Sequence, residues 1–209
     1  MTDAVEIVSD LVKIPSVSPF GRNETERRER FERCREVLAY LEEFLQKQGA
    51  QTEQLVFEGG HDKWWYPVPN LYAELTIGDR KAAGHKFLCY MGHIDVVPVG
   101  EEKLWRRPPF SGQIDEGFVW GRGATDMKGS VGAWMSALEE LKAGKGVGVN
   151  LTIGTLITGD EEWAAVNGSD KVLAWMKANG KNPDAFIVGE PSSRDYLGTH
   201  IKTGRRGSL

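Results

Sequence analysis

The sequence predicts an α/β fold: a sheet with parallel strands and helices packed on both faces. Three observations point there. Short β-rich runs alternate along the chain with segments of helical periodicity, the pattern of strands joined by crossover helices. The strand-like runs end in glycine or polar residues, and the side chains best suited to chemistry follow those ends. No apolar run approaches the roughly 18 residues that would mark a membrane-spanning helix instead.

Residues 3–14 carry Val5, Val8, Leu11 and Val12 at helical spacing and stop at Pro15, which has no N–H to continue the ladder. A longer helix is expected over 24–48. There Phe31, Cys34, Leu38, Leu41 and Leu45 step by three and four, making one apolar stripe on a charged segment that Gly49 closes. Strands are expected at 54–57, 70–77, 86–91 (KFLCYM), 117–120, 151–158 and 185–188. Helices are expected over 127–143, from Val131, Met135, Leu138 and Leu141, and over 169–179, from Val172, Leu173 and Met176. Residues 59–70, with Trp64, Trp65 and two prolines, read as a loop.

Composition narrows the function classes. The 209 residues suffice for one domain, or one and part of a second, and 40% apolar with 27% charged is ordinary for a packed globular chain. The 26 basic and 30 acidic residues sum to −4, which argues against nucleic-acid binding through bulk charge. The acidic start MTDAVEIVSD has no apolar signal-peptide core. Two cysteines, Cys34 and Cys89, cannot make a disulfide framework and fit a reducing compartment, so a cytoplasmic location is expected, with neither a nucleic-acid nor a membrane partner.

The candidate site follows from where the polar residues fall. His93 and Asp95 follow KFLCYM, Asp160, Glu161 and Glu162 follow LTIGTLITG, and Glu190 follows AFIVG. Open α/β sheets place ligands beyond the carboxyl ends of their strands, so three distant segments should meet on one rim. Asp126 joins them from GRGATDMKG, where a loop enters a helix. One histidine among several carboxylates suits Zn²⁺ or a similar ion, and so many carboxylates favour more than one cation. Each residue also has a plainer reading. His93 could be a hydrogen-bonded core histidine, Asp95 a turn residue, and Asp126 the cap of the following helix. Glu161-Glu162 could be a solvated pair and Glu190 turn punctuation before Pro191. Lys202, Arg205 and Arg206 read either as a solvated turn or as an anion clamp. GxxxxGK[ST], HExxH, CxxC and GxSxG are all absent.

Five segments, GHIDVVP (92–98), PPFSG (108–112), GRGATDMKG (121–129), ITGDEE (157–162) and VGEPS (188–192), resemble the M20 family of metal-dependent amidohydrolases and exopeptidases. The likeness runs in order over nearly the whole chain. The ending IKTGRRGSL (201–209) is similar to the succinyl-diaminopimelate desuccinylase branch. The resemblance implies a zinc-peptidase-like catalytic domain over 1–200 holding two divalent ions, Zn²⁺ or Co²⁺. It implies that His93 and Glu190 bind the first metal, Glu162 the second, and Asp126 both. Asp95 would orient the His93 ring, and Glu161 would be the general base. A cis peptide between Thr125 and Asp126 is a further expectation. Arg205 or Arg206 would recognise a carboxylate of a small acidic acyl-amino-acid substrate. The flank Trp163-Ala164 departs from the family, where glycine and proline are commoner. Family chains run to nearly twice this length. The chain is therefore expected to be an N-terminal part, with a hinge at 201–209 into a lid that makes a homodimer, and with a last histidine ligand further on. His61, His85 and His200 match no ligand motif of the family. The alternatives are a deacylase or peptidase of the same family with another substrate, such as an acetylornithine deacetylase-like or carboxypeptidase-like enzyme, and a metal-binding domain without catalysis.

Overall fold

Helix α1 (Ala4–Lys13) starts where the Asp3 carboxylate accepts the Val5 N–H at 3.0 Å, and it buries Ile7, Val8, Leu11 and Val12. Helix α2 (Glu24–Lys47) starts where Asn23 accepts the Glu26 N–H at 2.9 Å, and it turns Cys34, Val37, Leu38, Leu41 and Leu45 inward. The computed structural model describes residues 2–19, 21, 23–59, 66–145, 148–193, 196 and 199–200.

The strands are β1 (Gln51–Phe57), β2 (Val68–Ile77), β3 (Lys86–His93), β4 (Gln113–Asp115), β5 (Phe118–Trp120), β6 (Leu151–Thr158) and β7 (Ala185–Val188). The main sheet has the order β1-β2-β6-β3-β7. The expectation of parallel strands holds for β6, β3 and β7, but β2 runs antiparallel to both β1 and β6. Strand β4 lies outside the expected set. It pairs with β5 through a two-residue turn at Glu116 (φ 54°) and Gly117 (φ 80°), the positive-φ handedness that suits a tight hairpin.

Alternation along each strand divides the core into two layers. Leu71, Ala73, Tyr90, Ile153 and Ile157 pack with residues of α1, α2 and helix α3 (Gly129–Glu140). Tyr72, Cys89 and Leu156 face the other way, onto Val172 and Met176 of helix α4 (Ser169–Ala178). Helices therefore cover both faces, because neighbouring strand residues point to opposite sides. Both cysteines are buried and unpaired.

The expected helix over 127–143 is shorter, because a π-helical turn, Ala124–Lys128, precedes α3 and another, Leu141–Lys145, follows it. Asp126 (φ −123°) and Met127 (φ −131°) leave helical geometry inside the first turn. The expected cis peptide is displaced by one residue and joins Asp126 to Met127. The hinge expected at 201–209, with Arg205 and Arg206, lies outside the described residues.

α3 meets α1 at Gly132, where an added Cβ would sit 2.5 Å from Val8 Cγ2. A Gly132→Val chain is expected to lose about 1–3 kcal/mol from overpacking at this crossing. A lower urea midpoint with an unchanged slope would show it.

Candidate metal centre

The three parallel strands end level. His93 of β3 lies opposite Thr158 of β6, and Met91 lies opposite Val188 of β7. Two further backbone bonds extend the pairing, Ile94 N–H to Thr158 O and Gly189 N–H to Met91 O, each 3.0 Å. Whatever follows these strands must emerge on one rim. His93 and Asp95 leave β3, Glu161 and Glu162 leave β6, and Glu190 leaves β7.

His93 is the hub. Its Nε2 lies 3.0 Å from Asp126 Oδ1, 3.4 Å from Glu190 Oε1 and 3.7 Å from Glu161 Oε2. Its Nδ1 meets the backbone carbonyl of Asp95 at 2.9 Å and the Asp95 carboxylate at 3.6 Å. The Asp95 carboxylate accepts the backbone N–H of Glu161 (3.1 and 3.2 Å) and of Glu162 (3.0 Å). The ring is thus oriented mostly by the main chain, while the Asp95 side chain holds the exit of β6 against the exit of β3. Asp126 makes no side-chain cap at α3, whose N-cap is Lys128, so its carboxylate is turned to the rim and not to the helix.

The electrostatics call for a cation. Burial pushes the His93 imidazole down, but Asp126, Glu190, Asp95 and Glu161 outweigh it and raise its pKa to about 11. Burial, with the charges of Asp126, Asp95 and Glu161, lifts Glu162 to about 7 against the pull of His93. Burial likewise lifts Asp95 to about 6, although His93 and the two backbone N–H groups oppose it. A divalent ion held among these groups would supply the positive charge that favours their ionised forms.

The donor set fits one. His93, Asp126 and Glu190 form one group of ligand atoms within 4.8 Å of one another, and His93, Glu161 and Glu162 form another. Ligand atoms about 2.1 Å from a tetrahedral ion lie about 3.4 Å apart, the range of the His93 contacts to Asp126 and Glu190. Of the seven polar residues expected at this rim, six come together, while the Asp160 carboxylate is engaged by Tyr66 and Asn167. Arg205 and Arg206 lie outside the described residues. His85 meets Thr152 at 3.0 Å and His200 meets Thr199 at 2.9 Å, and neither is in either group.

Three supporting residues went unread in the sequence. Lys128, fully buried, donates from Nζ to Leu11 O and Ile14 O at 2.8 Å each, tying the Asp126 turn to the end of α1. Burial pushes its pKa down to about 7. Its signal was available, since Lys128 falls on the apolar stripe with Val131 and Met135. Tyr66 and Asn167, which grip Asp160, left no such signal.

Comparison with known proteins now bears directly on this rim. Residues 89–203, more than half of the chain and containing all six rim residues, match the model of peptidase family M20/M25/M40. The chain belongs to that family. A succinyl-diaminopimelate desuccinylase of Xanthobacter autotrophicus is 38% identical over 204 residues, covering 97% of this chain and 47% of that protein. One of Rhodospirillum centenum is 41% identical over 208 residues, covering 99% and 48%. The chain thus spans about half the length of these curated relatives. Among solved structures, an M20 family metallo-carboxypeptidase of Sulfolobus solfataricus aligns with a TM-score of 0.69 and 26% identity over 92% of this chain and 38% of its own. Human carnosine dipeptidase 1, 24% identical over 91% of this chain and 38% of its own, shares the fold with a TM-score of 0.73.

If the rim holds a cation, Zn²⁺ at about a hundred times its dissociation constant should raise the unfolding free energy by about 2.7 kcal/mol. His93→Ala removes the ligand common to both groups and should abolish that gain. Thermal melts of both chains with and without Zn²⁺, and after chelation, check it.

Proposed function

We propose that these residues form the metal-binding half of an amide hydrolase that cleaves N-succinyl-LL-2,6-diaminopimelate to succinate and LL-diaminopimelate, a step of lysine and diaminopimelate biosynthesis. One observation carries the reading. A histidine ringed by carboxylates from three strand ends sits in a chain 38–41% identical, over nearly all its length, to relatives named for that reaction. Cytoplasmic location and dimerisation through a further domain belong to the same reading.

His93, Asp126 and Glu190 would hold one divalent ion, Zn²⁺ or Co²⁺, and Asp126 with Glu162 a second. Such ions polarise the amide carbonyl and acidify the attacking water. The chain's own residues do the rest. Glu161, about half exposed on the rim, takes the proton of that water and returns it to the departing amine. Asp95 keeps the backbone of Glu161 and Glu162 in place through both N–H groups. Glu162, more deeply placed than Glu161, suits the ligand role better than that of a proton shuttle open to substrate.

The deciding experiment is steady-state hydrolysis of the succinyl substrate and its acetyl analogue by a protein of the relatives' full length that carries these residues. A clear preference for the succinyl substrate is expected, and equal or reversed preference refutes the assignment. In that protein Glu161→Gln should lower kcat by about 10²–10⁴-fold, because the amide cannot take up the proton. Metal content, read by atomic absorption, should not change. Loss of metal in this variant would exchange the roles of Glu161 and Glu162.

Substrate charge gives a second expectation. A rim rich in carboxylates repels a polycarboxylate substrate, and the reading assigns the compensating guanidinium to Arg205 or Arg206. A guanidinium grips a carboxylate through two parallel hydrogen bonds that lysine cannot copy. Arg205→Lys or Arg206→Lys should raise KM for the succinyl substrate far more than for a neutral acyl analogue. Equal changes for both substrates would dismiss the clamp.

A further inference from the structure

Glu161 and Glu162 open a loop that ends at Gly168, the residue before α4, and the start of that loop is gripped from two sides. On one side stands Asp95. On the other stands Asp160, 1% exposed. Its Oδ1 accepts the hydroxyl of Tyr66 at 3.0 Å, and its Oδ2 accepts the backbone N–H of Asn167 at 3.0 Å. The Asp160 N–H is itself taken by Thr158 Oγ1 at 3.2 Å.

Asn167, fully buried, extends the grip. Its Nδ2 donates to Tyr66 O at 2.8 Å and to Gly59 O at 3.0 Å, and its backbone carbonyl accepts Asn70 Nδ2 at 3.1 Å. Lys171 of α4 donates to Asn167 Oδ1 at 2.5 Å and to Glu58 O at 2.9 Å. Gly168 closes the loop against its own start, where a Cβ would lie 2.5 Å from Asp160 O. Both ends of an eight-residue excursion, 160–167, are thereby joined through one side chain.

We propose that Asp160, with Tyr66 as its main side-chain donor, is a positioning residue that sets the Glu161–Glu162 pair relative to His93. Asp95 fixes the two backbone N–H groups, and Asp160 fixes the direction from which the chain arrives at them. With both in place the two glutamates have only side-chain torsions left to adjust. Without Asp160 the loop keeps one anchor and the carboxylates spread, which weakens the metal position they serve. His93, Asp126 and Glu190 arise from other elements and do not depend on this latch. The inference rests on the proposed reading of Glu161 and Glu162 as base and ligand.

The test is calorimetry of Zn²⁺ binding to the wild-type chain and to Asp160→Asn and Tyr66→Phe. Two binding steps are expected in the wild type. Groups behind metal ligands are commonly worth 10–100-fold in affinity, so Asp160→Asn should weaken the second step by about tenfold or more and leave the first within about twofold. Tyr66→Phe, which removes one hydroxyl and keeps the ring, should weaken the same step by less. A merely structural role would lower the melting temperature and weaken both steps in proportion, and that result overturns the proposal. So does a folded Asp160→Asn chain with both steps unchanged, or a wild type with a single step. Should Asp160→Asn fail to fold, Tyr66→Phe decides by the same selective loss. Turnover is not read, so failure to cleave the succinyl substrate would refute the proposed function and leave the latch standing.

Discussion

The rim depends on the buried carboxylate of Asp95 receiving the backbone N–H groups of Glu161 and Glu162. Two parallel strands that end level deliver two loops side by side, but nothing in the ladder says how those loops should lie. Asp95 decides it. A carboxylate is the right group, because it offers two acceptor oxygens at once and makes charge-assisted bonds stronger than neutral ones. Without it, two half-buried N–H groups would lack partners, a larger cost than the mean worth of a hydrogen bond. The same residue supplies, through its backbone carbonyl, the acceptor that sets the His93 ring. Ligand orientation and loop placement therefore come from one position.

That arrangement has an electrostatic consequence. Asp95, Asp126, Glu161, Glu162 and Glu190 surround a single imidazole, and burial denies His93 and Asp95 the water that would screen them. His93, Asp95 and Glu162 respond by holding a proton more tightly, His93 most of all. Lys128 is the nearby fixed cation, yet its ammonium is spent on the carbonyls of Leu11 and Ile14, and burial draws its own pKa down. The rim thus gathers one imidazole and several carboxylates held by hydrogen-bonded partners behind them, the donor set and support that a divalent cation needs.

Much of this was legible because polar residues after an apolar strand run stand out. His93, Asp95, Glu161, Glu162 and Glu190 were marked by that contrast alone, and Asp126 by the glycine-rich turn before a helical stripe. The stripes also placed α1, α2 and α4 within a residue or two. Strand direction was not legible. β2 is buried along most of its length, as a parallel strand would be, so its pattern hides that it runs antiparallel. The three-residue strand β4 is too short to show alternation. The supports were hidden for a different reason. Lys128 stands on an apolar stripe, but its partner Leu11 lies 117 positions away and Tyr66 reaches Asp160 across 94, and spacing along a chain carries no trace of such partners.

The members of the cluster are not equally supported. His93 and Asp95 leave a strand hydrogen-bonded on both sides, and Glu161 and Glu162 leave one that is also central. Glu190 leaves β7, which pairs with β3 alone among the described strands and exposes Phe186 by 42%, Ile187 by 45% and Val188 by 59%. Edge strands with exposed residues are where local opening starts. What holds Glu190 in place is the residue before it. A Cβ on Gly189 would meet Tyr90 Oη at 2.3 Å and both Met127 Cε and Ser130 Oγ at 2.8 Å. Only a glycine lets the end of β7 lie that close to β3 and to the turn that carries Asp126. Glu190 reaches His93 because one side chain is missing beside it, and close approach at Gly189 supplements the bond from Gly189 N–H to Met91 O that ends the β3–β7 ladder.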